Sequence, residues 1–131
     1  EQVISVGVKG IKVDYYLSNV SEEEEVEKTF KQINEDFNGI DGLVNNAGIL
    51  RDGMFVKAKD GVVSKKMSLQ DFQSVIDVNL TGVFLCGREA AVHMIEGGKQ
   101  GVIINMSSIA GAYTHLRAPR DRTRARMPSS A

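Results

Sequence analysis

The chain has 131 residues, 42% of them hydrophobic and 25% charged, with a formal net charge of -1. That length suits one domain with a core and is short for two, and the composition excludes a fibrous or wholly disordered protein. No run of about eighteen apolar residues occurs, EQVISVGVKG lacks the pattern of a signal peptide, and Cys86 stands alone, so no span and no intrachain disulfide are expected and a cytoplasmic location is.

Residues 11–17 (IKVDYYL) are rich in β-branched and aromatic side chains and predict a strand. The period then changes. Val26, Phe30, Ile33 and Phe37 fall on one helical stripe, Ser21 with Glu24 forms a capping box, the glutamates of the first turn suit the positive end of the helix dipole, and Gly39 is the expected stop.

Residues 40–48 (IDGLVNNAG) form a short apolar run ending in small and polar residues, which predicts a buried strand whose tip meets a ligand or a tight turn. Within residues 55–66 (FVKAKDGVVSKK), Asp60 and Gly61 sit between two β-prone runs, the signal for a type I′ hairpin. Ser68 with Asp71 caps a second helical stretch. Its apolar stripe of Phe72, Val75, Ile76, Leu80, Val83, Phe84, Ala91 and Met94 runs nearly to Gly97, interrupted by Asn79 and Gly82. Cys86 lies in that stripe as a small buried hydrophobe, and His93 reads as a surface or interface residue.

After GGKQG, residues 102–108 (VIINMSS) predict a third strand. Strand, helix, strand, helix, strand implies an α/β chain with a parallel sheet, because parallel neighbours need long crossovers. The end differs in kind. Residues 117–131 carry five Arg and one Asp, whereas residues 1–116 carry 11 Lys+Arg and 16 Asp+Glu. A basic end without interleaved aromatics predicts a solvated, disordered tail and no nucleic-acid partner. Two histidines and one cysteine without ligand spacing predict no metal site.

Three motifs stand in order: NNAG at 45–48, DVNLTGVF at 77–84 and VIINMSSIAG at 102–111. Taken one at a time, each has a plain structural reading: a tight turn closing a strand, a helix asparagine satisfying a loosened turn, a serine ending a strand. Together, over roughly residues 9–111, they resemble the short-chain dehydrogenase/reductase family. Within it, SNV before the first helix and AGILRDGMFVK after the strand resemble bacterial 3-oxoacyl-acyl-carrier-protein reductases.

The resemblance implies a partial Rossmann-type doubly wound parallel sheet in three α/β/α layers. Residues 1–116 would form the dinucleotide-binding domain and residues 117–131 the Arg-rich tail. It implies NADP or NAD as cofactor, lying across the carboxyl ends of the strands, where open parallel sheets bind ligands. Asn19 and Val20 match the positions beside the adenine, and Asn46, Ala47 and Gly48 those beside the ribose. Ser108 matches the serine that hydrogen-bonds the substrate carbonyl, and Asn79 the residue whose main-chain carbonyl supports a proton relay. The implied substrate is a small-molecule or acyl-carrier-linked carbonyl, with no membrane partner; relatives often form homo-tetramers.

Two departures limit the implied activity. The family's Tyr-x-x-x-Lys motif is expected about a dozen residues past the serine, but RAPRDRTRAR stands there, and Tyr113 comes too early with no lysine four residues on. No glycine-rich phosphate-binding turn precedes residue 11. The expectation is a fragment of an NAD(P)-dependent oxidoreductase, inactive or impaired as written. The alternative is a non-catalytic nucleotide-binding or subunit-interaction α/β module.

Overall fold

The computed structural model describes residues 10–107. Its elements in chain order are α1 (Glu23–Phe37), β1 (Gly42–Asn45), β2 (Val56–Lys59), β3 (Val62–Lys66), α2 (Leu69–Ile76), a five-residue π-helical turn (Asp77–Thr81), α3 (Gly82–Glu96) and β4 (Val102–Asn105). β1 and β4 pair in parallel, Gly42 opposite Val102 through Asn45 opposite Asn105, with the helices of the crossover between them in sequence. This is the partial α/β arrangement expected of a Rossmann-type half sheet.

The apolar stripe of α1 supplies Val26 and Phe30 to the core. There they meet Leu85, Cys86, Ala90 and Met94 of α3 and Ile40 ahead of β1, with Val20, Ile33 and Leu43 packed against the cluster. Val26 and Ala90 are 1% and 0% exposed, so α1 and α3 meet through one large and one minimal side chain, as close helix packing requires. Burial pushes the Cys86 thiol up, which suits a small hydrophobe. At the rim Arg88 spans the same helix pair, its guanidinium 2.7 Å from Glu23 and 3.3 Å from Glu27. Such partly exposed pairs are worth at most about 1 kcal/mol, so packing fixes the helices and the ions orient them.

Four expectations need correction. Residues 11–17 form no strand, although their composition favours one. An extended segment joins a sheet only where a neighbour supplies hydrogen bonds, and among the described residues none pairs with it. The Ser21–Glu24 capping box does not form, because Asn19 captures Ser21: its Oδ1 accepts from the Ser21 amide (3.2 Å) and hydroxyl (2.8 Å). Helix α1 therefore starts one residue later, with Glu22 at its N-cap. At its far end the left-handed cap falls on Asn38 (φ 56°), one residue before Gly39.

The sheet strands are also less buried than their sequences predict. In β1 only Asn45 is buried, and every residue of β4 is exposed. Leu43 and Asn45 turn toward α3, whereas Val44 on the opposite face is 59% exposed. Among the described residues helices cover one face of this sheet, so these residues make two of the three expected layers. The 117–131 tail is likewise outside the described residues.

The hairpin is as expected. Asp60 (φ 51°) and Gly61 (φ 79°) both take positive φ, the type I′ pattern that follows the twist of the two strands. β2 and β3 pair antiparallel with a bulge, and no residue of either strand is buried.

Candidate functional site

β1 and β4 end side by side, and the Met106 amide continues the ladder by donating to the Asn45 carbonyl at 2.9 Å. Buried Asn45 ties three elements together, its Nδ2 donating to Asn105 Oδ1 at 2.9 Å and more weakly to the Val83 carbonyl at 3.4 Å. Beyond it the chain turns outward through Asn46, Ala47 and Gly48, all exposed. Small residues there leave the main chain approachable. Gly48 does not have a positive φ, and a Cβ on it would lie 3.5 Å from Asn79 Oδ1, an ordinary contact.

Asn79 holds this turn in place. Its Oδ1 accepts from the Ile49 amide at 2.8 Å and its Nδ2 donates to the Ile49 carbonyl at 2.9 Å. One side-chain amide thus satisfies both main-chain groups of a single residue, as a strand neighbour would. The asparagine lies inside the π turn between α2 and α3, where the Gly82 amide reaches back five residues to Asp77 O. A widened turn of this kind re-aims side chains and loosens the carbonyls of the preceding turn, and such turns recur at functional sites. The sequence signalled the spot as an interruption of good helix formers and through the DVNLTGVF motif, but not the side-chain clamp on Ile49.

Asn19 and Val20 reach the same end of the sheet. The Asn19 carbonyl accepts from the Glu22 amide at 3.0 Å, and its own amide donates to Glu25 Oε2 at 2.7 Å, which closes a tight turn against α1. Val20 presses on α3 at Gly82, where an added Cβ would lie 2.8 Å from Val20 Cγ2 and 3.1 Å from its carbonyl oxygen. Glycine is required there for close approach. A void of about 10 Å³ lies between Val20, Asn45, Ala47 and the first turn of α3, too small to hold a ligand and a mark of how tightly these segments meet. Asn19, Val20, Asn46, Ala47, Gly48 and Asn79 therefore converge at one edge. Ser108 lies outside the described residues.

Two features were not anticipated. A cleft of about 350 Å³ opens between the 51–54 loop and the hairpin, with Arg51, Lys57 and Lys65 on its walls. A second, of about 620 Å³, lies between Tyr15, Tyr16 and α1. Beside it the Tyr16 hydroxyl donates to Asp36 Oδ2 at 2.7 Å. That bond to a carboxylate is the main reason the Tyr16 phenol is pushed up to about 12 and the Asp36 carboxyl held below its ordinary range. Neither cleft has a sequence signal, because each depends on how neighbouring segments pack and not on a residue pattern. Among the described residues no group of three His, Cys, Asp or Glu is placed to hold a metal ion, and no helix is long and apolar enough to cross a membrane.

A family model described as short chain dehydrogenase matches residues 2–119. A 3-oxoacyl-[acyl-carrier-protein] reductase of Synechocystis sp. is 41% identical over 110 residues, which cover 84% of this chain and 39% of that protein. A 2,5-dichloro-2,5-cyclohexadiene-1,4-diol dehydrogenase of Sphingobium indicum is 35% identical over 106 residues, 81% of this chain and 39% of that protein. Among solved structures, ElxO with NADP bound aligns at TM-score 0.62 and 34% identity, over 76% of this chain and 36% of that one. The chain spans about two fifths of the length of the curated relatives it matches.

Proposed function

The chain belongs to the short-chain dehydrogenase family, and from that premise we propose that it is a cofactor-facing segment of an NAD(P)-dependent oxidoreductase that reduces a 3-oxoacyl thioester or a similar carbonyl. One observation carries the reading. The Asn79 amide clamps Ile49 and so presents the exposed 46–48 turn at the carboxyl edge of the parallel strands, beside the Asn19–Val20 turn. The solved relative described with NADP bound and the acyl-carrier-protein reductase relative support the cofactor and the substrate class.

The residues present fit a dinucleotide. Asn46, Ala47 and Gly48 are exposed, the small side chains at 47 and 48 leave the main chain approachable, and Asn46 carries an amide for polar contacts. Asn19 and Val20 would hold the adenine side, and Asn46, Ala47 and Gly48 the ribose. NAD(P) bound there supplies hydride. Ser108, just past the end of β4, would hydrogen-bond the substrate carbonyl and stabilise the negative charge that develops on its oxygen. Asn79 keeps the turn rigid with its side chain and would support proton delivery through its main-chain carbonyl.

The dinucleotide-binding unit is taken as residues 1–116, with the Arg-rich segment 117–131 outside it. Residues 109–131 contain Tyr113 and no lysine, so this stretch supplies no Tyr-x-x-x-Lys proton donor. Loss of a general acid costs about 10²-fold or more in rate, so this chain by itself is expected to bind cofactor and turn over slowly or not at all.

Titration with NADPH and NADH, followed by fluorescence and thermal shift, tests the reading, with oxidation of NADPH by an acetoacetyl thioester as the second step. Saturable binding supports it. Binding without turnover fits the missing acid, fast turnover refutes the impaired reading, and no binding of either dinucleotide refutes the cofactor site.

A further inference from the structure

The cleft between the 51–54 loop and the hairpin lies directly along the chain from the clamped turn, Arg51 coming two residues after Ile49. Its charge arrangement is unusual. Lys57 and Lys65 are direct cross-strand partners, so their side chains share one face, and both line the cleft. Like charges directly opposite on a sheet destabilise it, and the Asp60–Gly61 turn alone would not produce this pairing.

The pairing comes from the bulge. From the turn outward the register runs Lys59 opposite Val62 and Ala58 opposite Val63; continued without interruption it would set Ser64 opposite Lys57. Instead Ser64 is the extra residue, its hydroxyl donating to the Lys57 carbonyl at 3.1 Å, and Lys65 takes the facing position. Bulges re-aim side chains, and this one aims a second ammonium into the cleft.

Arg51 adds a third cation to the lining, against two carboxylates. Of these, Asp71 already accepts at 2.6 Å from the hydroxyl of Ser68, the N-cap residue of α2. Three cations against two carboxylates leave the lining with one net positive charge. Among the described residues none of Arg51, Lys57 and Lys65 takes part in an ion pair, whereas Arg88 and Lys99 do. Met54 and Met67 complete the lining with flexible apolar surface, suited to a chain rather than a rigid ring.

We propose that this cleft takes the phosphate of a 4′-phosphopantetheine arm, Lys57, Lys65 and Arg51 holding the phosphate and Met54 and Met67 lying along the arm. The inference rests on the thioester reading above and deepens it: it names what the substrate's carrier presents to this protein. The arm is shared by acyl carrier proteins and coenzyme A, and the bulged hairpin recognises the phosphate common to both. Two charge-assisted contacts make the phosphate worth roughly tenfold or more in affinity.

The test is calorimetry on the full-length protein with 4′-phosphopantetheine and with pantetheine, repeated for Lys57→Ala/Lys65→Ala and for Lys57→Arg/Lys65→Arg. The phosphorylated arm should bind about tenfold tighter, the alanine pair should abolish that ratio, and the arginine pair should keep it. An equal affinity for the two arms, or a ratio unchanged in the alanine pair, overturns the assignment. NADPH affinity, measured on the same samples, separates the two ideas: its absence refutes the oxidoreductase reading while the phosphate ratio still reports on the cleft. KM for carrier-protein-linked and coenzyme A-linked acetoacetate tells the sources apart. A rise in both supports the shared phosphate. A rise confined to the carrier protein would assign the lysines to its acidic surface, and one confined to coenzyme A to its nucleotide phosphates; either overturns the proposal.

Discussion

The α1–α3–β1 unit and the β2–β3 hairpin are built on different physics. In the first, buried Val26, Phe30, Leu85, Ala90 and Met94 fix the geometry, and the turn at 46–48 inherits its position from that packing. In the second nothing is buried, and the shape is set by two positive-φ residues, a bulge and four cross-strand pairs. The difference separates tasks. Positioning belongs to the packed unit, where a change propagates, while recognition on the hairpin can vary with little effect on the fold.

The comparison breaks most readily at the core. Phe30→Ala is expected to lower the stability of the packed unit by roughly 3–5 kcal/mol, read from the urea midpoint, because the cavity sits between α1 and α3. An effect below about 1 kcal/mol would mean that the two helices do not depend on each other.

Gly82→Ala sharpens it further, since two effects compete. In an ordinary helix the change stabilises by about 1 kcal/mol. Here the added Cβ meets Val20 at 2.8 Å and its carbonyl at 3.1 Å, and the carbonyl belongs to the main chain. Overpacking of about 1–3 kcal/mol should win, giving a lower urea midpoint and weaker NADPH binding. A rise in midpoint would show that the Val20 segment moves away freely.

Asn79→Ala removes both hydrogen bonds to Ile49, worth about 1–2 kcal/mol together. Amide exchange at Ile49 should quicken, and NADPH affinity should fall more than global stability does. Gly61→Val acts on the other region. A β-branched residue at φ 79° is strained by about 1–2 kcal/mol, so hairpin amides should exchange faster while the global midpoint stays within about 0.5 kcal/mol.

The smallest effect concerns half-buried Tyr16 and exposed Asp36. The Tyr16 pKa is raised, so its contribution to stability is present below pH 10 and fades as pH climbs toward about 12. The Asp36 pKa is lowered, so its contribution is present above the ordinary carboxylate range and fades as pH drops through the depressed value. Between those limits stability should not respond to this pair. Tyr16→Phe should remove the phenolate absorbance step near pH 12 and lower the mid-range Tm only slightly, because the hydrogen bond it removes lies at the surface.

How far the sequence was readable follows the same division. The Val26–Phe30 part of the first stripe, the Asp60–Gly61 turn and the Ser68 cap are local, and each is where its residues predict. In the second stripe Phe72, Leu80 and Phe84 are exposed and Leu85 and Ala90 are buried instead, because the π turn rotates the face that α3 presents to α1. Residues 11–17 failed as a strand because pairing depends on a neighbour that side-chain preference does not supply. The Ser21 cap failed to a competitor two residues away, Asn19, whose amide oxygen reaches the same hydroxyl. Asn79 and Gly82 were visible as interruptions, but the π turn and the reach to Ile49 depend on tertiary fit. The Arg51–Lys57–Lys65 cleft was illegible for another reason: it depends on one extra residue in a register that periodicity cannot fix.

The Asn45–Asn105 contact has a consequence for how the chain finds its fold. Two short apolar strands such as GLVN and VIIN could align in several ways with similar burial, and a shift by one residue would turn each side chain to the other face. Only one alignment puts the two amides within 2.9 Å of each other and gives Asn45 a second acceptor on α3. Any other alignment strands a polar group against the core at a cost of about 1–3 kcal/mol. The pair therefore selects one register of the two strands, and with it the place from which the 46–48 turn leaves the sheet.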